Sequence, residues 1–329
     1  GYNTAVGNLA GTAMTTGTHN VIMGGLAGDA LTTGIQNVAI GYLALSTEDT
    51  GSKSVAIGTA ALSAQNYDGH AFNTAIGHDA GAAVTTGVEN TLIGGLAGDA
   101  LTTGVRNVAI GYEALSAEDT GGNTVAIGYE ALKVQDAGAN TFNVAIGYQA
   151  GKAVTTGLNN TLVGGKTGDS LTTGSSNTCI GYNSGSTLST GESNIAIGHN
   201  ALDGEDTGSK NVAIGQSALG ALNFDGNGYN VAVGHDAGKT VTTGIRNVLI
   251  GGLAGDALTT GSSNIAIGLQ ALSTEDAHGL NVAIGHNALA SLNAGADAYN
   301  VAIGHLAGED LTTGVQNTLV GAQAGDSLT

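Results

Sequence analysis

The sequence predicts an all-β protein, a parallel β-solenoid built from coils of 17 or 19 residues. A string of the type Asn-Val-Ala-Ile-Gly begins 19 times between Asn3 and Asn317, at intervals of 17 residues in 14 cases and 19 residues in four. Glycine accounts for 57 of the 329 residues and proline for none. Glycine at this density weakens helices, and helical repeats need units of about 33 residues or more. The repeat therefore favours one β-coil per unit.

The five-residue string has the pattern of a short strand. The residue after its first position is β-branched in all 19 coils, and the residue two further on is Ile or Val in 18, with Met23 as the exception. These two side chains share a face because side chains alternate along a strand, and β-branched residues favour strands. The residue between them is small or apolar. We expect one face to fill the coil and the other to pack against another chain.

The remainder of each coil carries turn signals. Glycine follows the strand in every coil, and most coils end in a Thr-Gly turn signal, which Ala277 and His278 replace in one of them. We interpret a coil as two short strands and two turns.

A longer period is superimposed on the coils. The 19-residue coils begin at Ser54, Thr124, Asn211 and Asn281, which defines a block of four coils and about 70 residues, with one additional coil in the middle block. No change in composition divides the chain. We expect a single elongated domain over residues 1–329, a rod that rises by about 4.8 Å per coil and is part of a longer array.

Asparagine occupies the first position of the string in 17 of the 19 coils, with Ser54 and Thr124 as polar substitutes. Stacked asparagine side chains can bond to the coils above and below as a ladder. In the first block and a half the predicted ladder comprises Asn3, Asn20, Asn37, Asn73, Asn90 and Asn107.

Composition excludes several classes of protein. The chain has 26 acidic and 8 basic residues, a net charge of −18, which repels nucleic acid. The single cysteine, Cys179, excludes a disulfide scaffold, and we interpret it as a core thiol. No nucleotide-binding or nucleophile motif occurs in a suitable context. We therefore predict no catalytic activity and no cofactor other than a candidate Ca²⁺.

Acidic pairs recur in the coil before each long coil. Carboxylates clustered with turn carbonyls suit Ca²⁺, and the alternative is a solvated acidic edge that keeps the protein soluble. The candidate ligands are Glu48, Asp49, Glu118, Asp119, Glu205, Asp206, Glu275 and Asp276.

The few aromatic residues are not randomly placed. One precedes the string that follows each long coil, and we interpret these residues either as plugs of the wider coil or as a row that contacts a sugar or receptor. They are Phe72, Phe142, Tyr229 and Tyr299.

A second column of Tyr or His follows the strand glycine, and its members either stack along an edge or share a metal. It comprises Tyr42, His78, Tyr112, Tyr129, Tyr148, Tyr182, His199, His235, His286 and His305.

The strings Ser54–Gly58 and Thr124–Gly128, which read Val-Ala-Ile-Gly after their first residue, resemble the head repeats of trimeric autotransporter adhesins. Similar strings occur in trimeric tail-fibre proteins of bacteriophages. The resemblance implies a left-handed β-roll and a parallel homotrimer on a cell surface or virion. It implies attachment to a host or matrix protein or to a surface glycan. The heads of that family use shorter repeats, so the coil here is wider or carries a longer loop.

From the pattern and the resemblance together we expect a segment of an extracellular adhesin or fibre that provides a rigid rod for attachment. The alternative is a self-assembling extracellular filament or the shaft of a phage tail fibre. Its main partner in either case is a second copy of the chain.

Overall fold

The computed structural model describes residues 1–329 and confirms the all-β parallel solenoid. It contains 19 strands of three residues each, and each strand occupies the second to fourth positions of the repeated string. No helix in it is long and apolar enough to cross a membrane. Contacts group the chain into two units, Gly1–Asn160 and Thr161–Thr329.

The first unit stacks nine strands in chain order, each parallel to the next. In-register pairing joins residues 17 or 19 positions apart, as in Val38 with Val55 and Val55 with Thr74. The strands are β1 (Thr4–Val6), β2 (Val21–Met23), β3 (Val38–Ile40), β4 (Val55–Ile57), β5 (Thr74–Ile76), β6 (Thr91–Ile93), β7 (Val108–Ile110), β8 (Val125–Ile127) and β9 (Val144–Ile146).

The second unit stacks ten strands in the same way, for example Val212 against Val231 and Val231 against Val248. They are β10 (Thr161–Val163), β11 (Thr178–Ile180), β12 (Ile195–Ile197), β13 (Val212–Ile214), β14 (Val231–Val233), β15 (Val248–Ile250), β16 (Ile265–Ile267), β17 (Val282–Ile284), β18 (Val301–Ile303) and β19 (Thr318–Val320).

The strands bury their middle residue and turn the flanking residues outward. In β3, Ala39 is fully buried whereas Val38 and Ile40 are half-buried. Strands β2 to β18 all bury the middle residue and leave the flanking residues half-buried or exposed. The small residue therefore faces the interior of the coil, and the β-branched pair faces out. We call the first and third residues of the strands the outer stripe of each unit.

The predicted second strand of each coil is wrong, because each coil contains one strand only. The rest of the coil passes repeatedly through the left-handed region. In one long coil Ala60 and Leu62 have φ of 55° and 48°, after Gly58 at 137°. Left-handed residues cannot continue an extended strand. Hydrogen bonds between coils persist without a strand, as from Thr15 N to Thr32 O at 2.9 Å.

Two positions of the coil share the task of filling the interior: where one carries a large side chain, the other carries a small one. Where the middle strand residue is large, as Leu92 is, the left-handed position six residues later is Gly98; where the strand carries Ala109, that position is Leu115. Leu92 and Leu115 are both fully buried. Most coils therefore supply a large side chain from one of these two walls. In other coils both positions are small, as at Ala75 and Gly81, and a third position supplies the buried side chain, there Val84.

Candidate functional site

The asparagine column closes each coil and joins it to the next. Asn37 Nδ2 donates to the carbonyl oxygen of Gly51 in its own coil at 2.8 Å. Asn37 Oδ1 accepts the backbone N–H of Ser54 in the next coil at 2.9 Å. Most of the column is fully buried, so these amides take the place of water for backbone groups inside the stack. The principal bonds run to the backbone rather than from amide to amide.

The glutamates of the predicted acidic pairs point into the protein. Glu48, Glu118, Glu205 and Glu275 are all fully buried. Glu118 Oε1 accepts the N–H of Gly121 at 2.8 Å, and its Oε2 accepts Gln135 Nε2 at 3.0 Å. The sequence spacing indicates this partner, although the sequence analysis did not use it: Gln135 follows Glu118 by one coil length of 17 residues.

The third and fourth glutamates lack the glutamine partner, because Leu222 and Leu292 stand at the equivalent positions. Glu205 accepts the backbone N–H of Gly208 at 2.7 Å and that of Phe224 at 3.3 Å. Glu275 Oε1 lies 3.2 Å from Nδ1 of His278, the residue that interrupts the Thr-Gly pattern. The buried carboxylates thus serve backbone and side-chain donors where the coil widens.

Two of the four acidic pairs gather three metal-binding side chains. Glu118, Asp119 and Asp136 have ligand atoms within 4.8 Å of one another, as do Glu275, Asp276 and His278. The pairs at Glu48 and Glu205 belong to no such group. Near Glu48, the aspartate of the following long coil, Asp68, is instead hydrogen-bonded within the protein. Thr50 Oγ1 donates to Asp68 Oδ1 at 2.6 Å. Ca²⁺ binding at these pairs stays a prediction.

Burial raises the pKa of the Glu48, Glu118 and Glu205 carboxyls above the ordinary 4.5, against hydrogen bonds that lower it. A carboxyl whose pKa is higher in the folded state stabilises the fold below its unfolded pKa, and that contribution is lost as pH rises through the folded pKa. We therefore expect the free energy of unfolding to fall as pH rises from about 4.5 toward neutrality. The triple Glu→Gln variant, which replaces Glu48, Glu118 and Glu205, should lose this dependence.

Urea unfolding at pH 5 and pH 8 in 0.5 M salt measures the effect, because salt screens surface repulsion but not buried carboxyls. The control replaces three exposed acidic side chains (Glu89→Gln, Glu192→Gln and Asp310→Asn) and should keep the pH dependence. A triple Glu→Gln variant whose pH dependence equals that of the wild type contradicts the expectation.

The long-coil aromatics lie on the surface. Phe72, Phe142, Tyr229 and Tyr299 are 52%, 57%, 51% and 54% exposed, so their interpretation as plugs of the wider coil is wrong. They occupy left-handed backbone positions, with φ of 52–54°. A lysine one coil earlier covers two of the rings, with Lys53 Nζ at 5.1 Å from the centroid of Phe72 and Lys210 Nζ at 5.3 Å from that of Tyr229.

The Tyr/His column stacks along an exposed edge in places. The rings of Tyr112, Tyr129 and Tyr148 form a ladder with centroid separations of 5.7 and 5.4 Å. In the second unit Tyr182 stacks on His199 at 5.8 Å and His286 on His305 at 5.3 Å. Adjacent members present parallel rings, the arrangement expected of stacked edge side chains.

A network of charges runs beside the tyrosine ladder. Lys152 and Lys133 lie 2.6 and 2.9 Å from the carboxylate of Glu130. They lower the pKa of Glu130 to about 2. Lys133 also lies 2.5 Å from the carboxylate of Glu113 in the preceding coil, so the network joins three successive coils.

Cys179 lies in the core as predicted. It is the middle residue of β11 and is fully buried, and burial raises the pKa of its thiol to about 12. A thiol of such high pKa is not ionised at neutral pH and is a poor nucleophile.

No model of a known protein family matches the chain, and no curated protein sequence matches it. The function of the chain is therefore inferred from the geometry of its coils and from its repeat pattern.

Proposed function

We propose that this chain is a rigid segment of an extracellular fibre or adhesin that associates with copies of itself through the outer stripe. The stripe supports this proposal because it is uncharged in all 19 strands, in a protein of net charge −18, and is apolar except for the threonine that stands first in six strands. Its third residues remain partly exposed within the stack, as with Ile76 at 37% and Ile250 at 37%. An exposed apolar stripe of this kind marks an association surface.

A second copy is the partner that fits the stripe best. The stripe repeats one β-branched pair per coil, and only a solenoid with the same coil spacing can match that pattern along its length. A closed ring of identical chains covers such a stripe completely. The resemblance to the adhesin head repeats favours three copies, and a host or matrix protein or a surface glycan is then the target of attachment.

Light scattering after size exclusion, at two protein concentrations, tests the proposal. We expect a mass close to three times the chain mass of 31.9 kDa that does not change with concentration. A mass that climbs with concentration supports the filament alternative. A monomer at both concentrations overturns self-association.

Lysine substitutions test the stripe itself. We expect a fourfold variant with outward lysines in separate coils to fall to a monomer, because a buried lysine interface is strongly disfavoured. The variant is Ile76→Lys, Ile146→Lys, Ile250→Lys and Ile303→Lys. The control adds the same charge in the same coils at exposed threonines, Thr86→Lys, Thr156→Lys, Thr260→Lys and Thr313→Lys, and should keep the wild-type mass. Equal masses for the two variants, both folded by circular dichroism, contradict the assignment of the stripe.

A further inference from the structure

A cleft in the second unit opens at a glycine that the fold does not need. It has a volume of about 280 Å³ and lies where the coils of β12, β13 and β14 meet. Asp203, Gly220 and Lys239 line it from equivalent places in three successive coils, each five residues after the glycine that ends the strand. The absence of a side chain in the middle coil is what leaves the space open.

Gly220 has no conformational reason to be glycine. It does not have the positive φ of the left-handed positions, and a Cβ atom there would meet nothing closer than Ser217 O at 3.2 Å. The other three long coils carry side chains at this place, namely Ser63, Lys133 and Ala290. The backbone bond is also the same, since Gly220 N donates to Ser217 O at 3.1 Å and Ser63 N to Ala60 O at 3.2 Å.

The walls of the cleft carry two charged groups of opposite sign. The Asp203 carboxylate lies on one wall, and burial raises its pKa. The Lys239 ammonium lies on the other, 3.3 Å from Asp236 Oδ2.

These groups select a neutral ligand that both donates and accepts hydrogen bonds. The Asp203 carboxylate requires a donor, whereas the Lys239 ammonium requires an acceptor. Asp203 and the net charge of −18 disfavour an anion, and Lys239 disfavours a cation. A hydroxyl group meets both demands. The volume lies just below the range of about 300–1,000 Å³ that holds drug-sized ligands, so it suits one small ring.

We propose that this cleft binds one neutral hexose unit of a glycan. Vicinal hydroxyls would donate to Asp203 and would accept from Lys239. The proposal does not depend on self-association through the outer stripe, because each chain contains the whole cleft.

Saturation-transfer NMR on the full chain tests the cleft, with the methyl glycosides of glucose, galactose and mannose and with N-acetylglucosamine as probes. We expect at least one probe to receive saturation. We expect Gly220→Ser, which introduces the residue of Ser63, to weaken its binding at least tenfold. The matched control Ala290→Ser alters the equivalent place in another long coil and should bind as the wild type does.

Asp203→Asn is a second variant that leaves the cleft open, and it should also weaken binding at least tenfold. Three results would overturn the proposal: no transfer to any of the four sugars at 10 mM, full binding by Gly220→Ser, or binding of free glycine, a zwitterion, in place of the sugars. The native mass of each sample separates these results from a failure of self-association.

Discussion

Replacing Gly98 by leucine is expected to lower the free energy of unfolding by roughly 3–5 kcal/mol, because the interior of its coil is already full. A Cβ atom at Gly98 would lie 2.8 Å from Leu92 Cδ2 and 2.8 Å from Leu101 Cδ1. The backbone adds a cost of about 1–2 kcal/mol, since φ at this position is +55°. Leu115 accepts the same conformation, with φ of 53°, because its coil has Ala109 opposite.

Removing the leucine opposite Gly98 should rescue the Gly98→Leu variant. Leu92→Ala alone should cost about 2–5 kcal/mol through the cavity that it leaves. The double variant Leu92→Ala/Gly98→Leu recreates the Ala109–Leu115 combination and should be more stable than either single variant. Recovery will be incomplete, because Leu92 also packs over Gly81, where a Cβ atom would lie 2.6 Å from Leu92 Cδ1.

Chemical denaturation of the wild type, both single variants and the double variant forms a double-mutant cycle. We expect a favourable coupling of about 1–3 kcal/mol between the two sites. Strictly additive effects would show that the side chains at positions 92 and 98 do not compete for the same interior space, which contradicts the packing described for the core.

The second large effect is expected from the asparagine column. Asn107→Ala removes the bond from Nδ2 to Gly121 O at 2.9 Å and the bond from Thr124 N to Oδ1 at 3.1 Å. Gly121 and Thr124 are both buried, so each group loses its partner away from water. At about 1–3 kcal/mol for each unpaired group, the loss should reach about 2–6 kcal/mol.

Asn107→Asp is expected to be at least as damaging, because it places a carboxylate oxygen against the carbonyl of Gly121 and buries a charge. The control is Asn66→Ala, at an exposed asparagine of the same unit, which should change stability by no more than about 0.5 kcal/mol. Thermal melts of the three variants measure the effect. An Asn107→Ala protein as stable as the Asn66→Ala protein would contradict the role assigned to the column.

Much of the fold could be predicted from the sequence because the determinants are local and repeat along the chain. The β-branched pair around a small residue predicts each strand, and all 19 strands lie where the string predicts them. A constant repeat length fixes the parallel register, since equivalent residues must stack on one another. Cys179 was placed in the core for the same reason, as it occupies the position that alanine or leucine fills in other coils.

Other features depended on which way each side chain points. Both faces of the strand are apolar, so the pattern did not distinguish inward from outward, and the structure turns the β-branched pair out. Glu118 and Asp119 form one acidic pair in the sequence, yet Glu118 is fully buried and Asp119 is exposed. Phe72 was a plausible plug by composition, but its side chain lies on the surface and is 52% exposed.

The sequence by itself therefore determined the coil, its period and the stacking order, because these follow from local alternation repeated at fixed spacing. Only the tertiary structure decided the left-handed positions, the single strand per coil, the buried carboxylates and the cleft at Gly220. Those features arise from contacts between residues 17 or 19 positions apart and from the limited volume inside each coil. Neither can be read from the residue types of one coil alone, because the neighbouring coil determines whether a side chain has room or a partner.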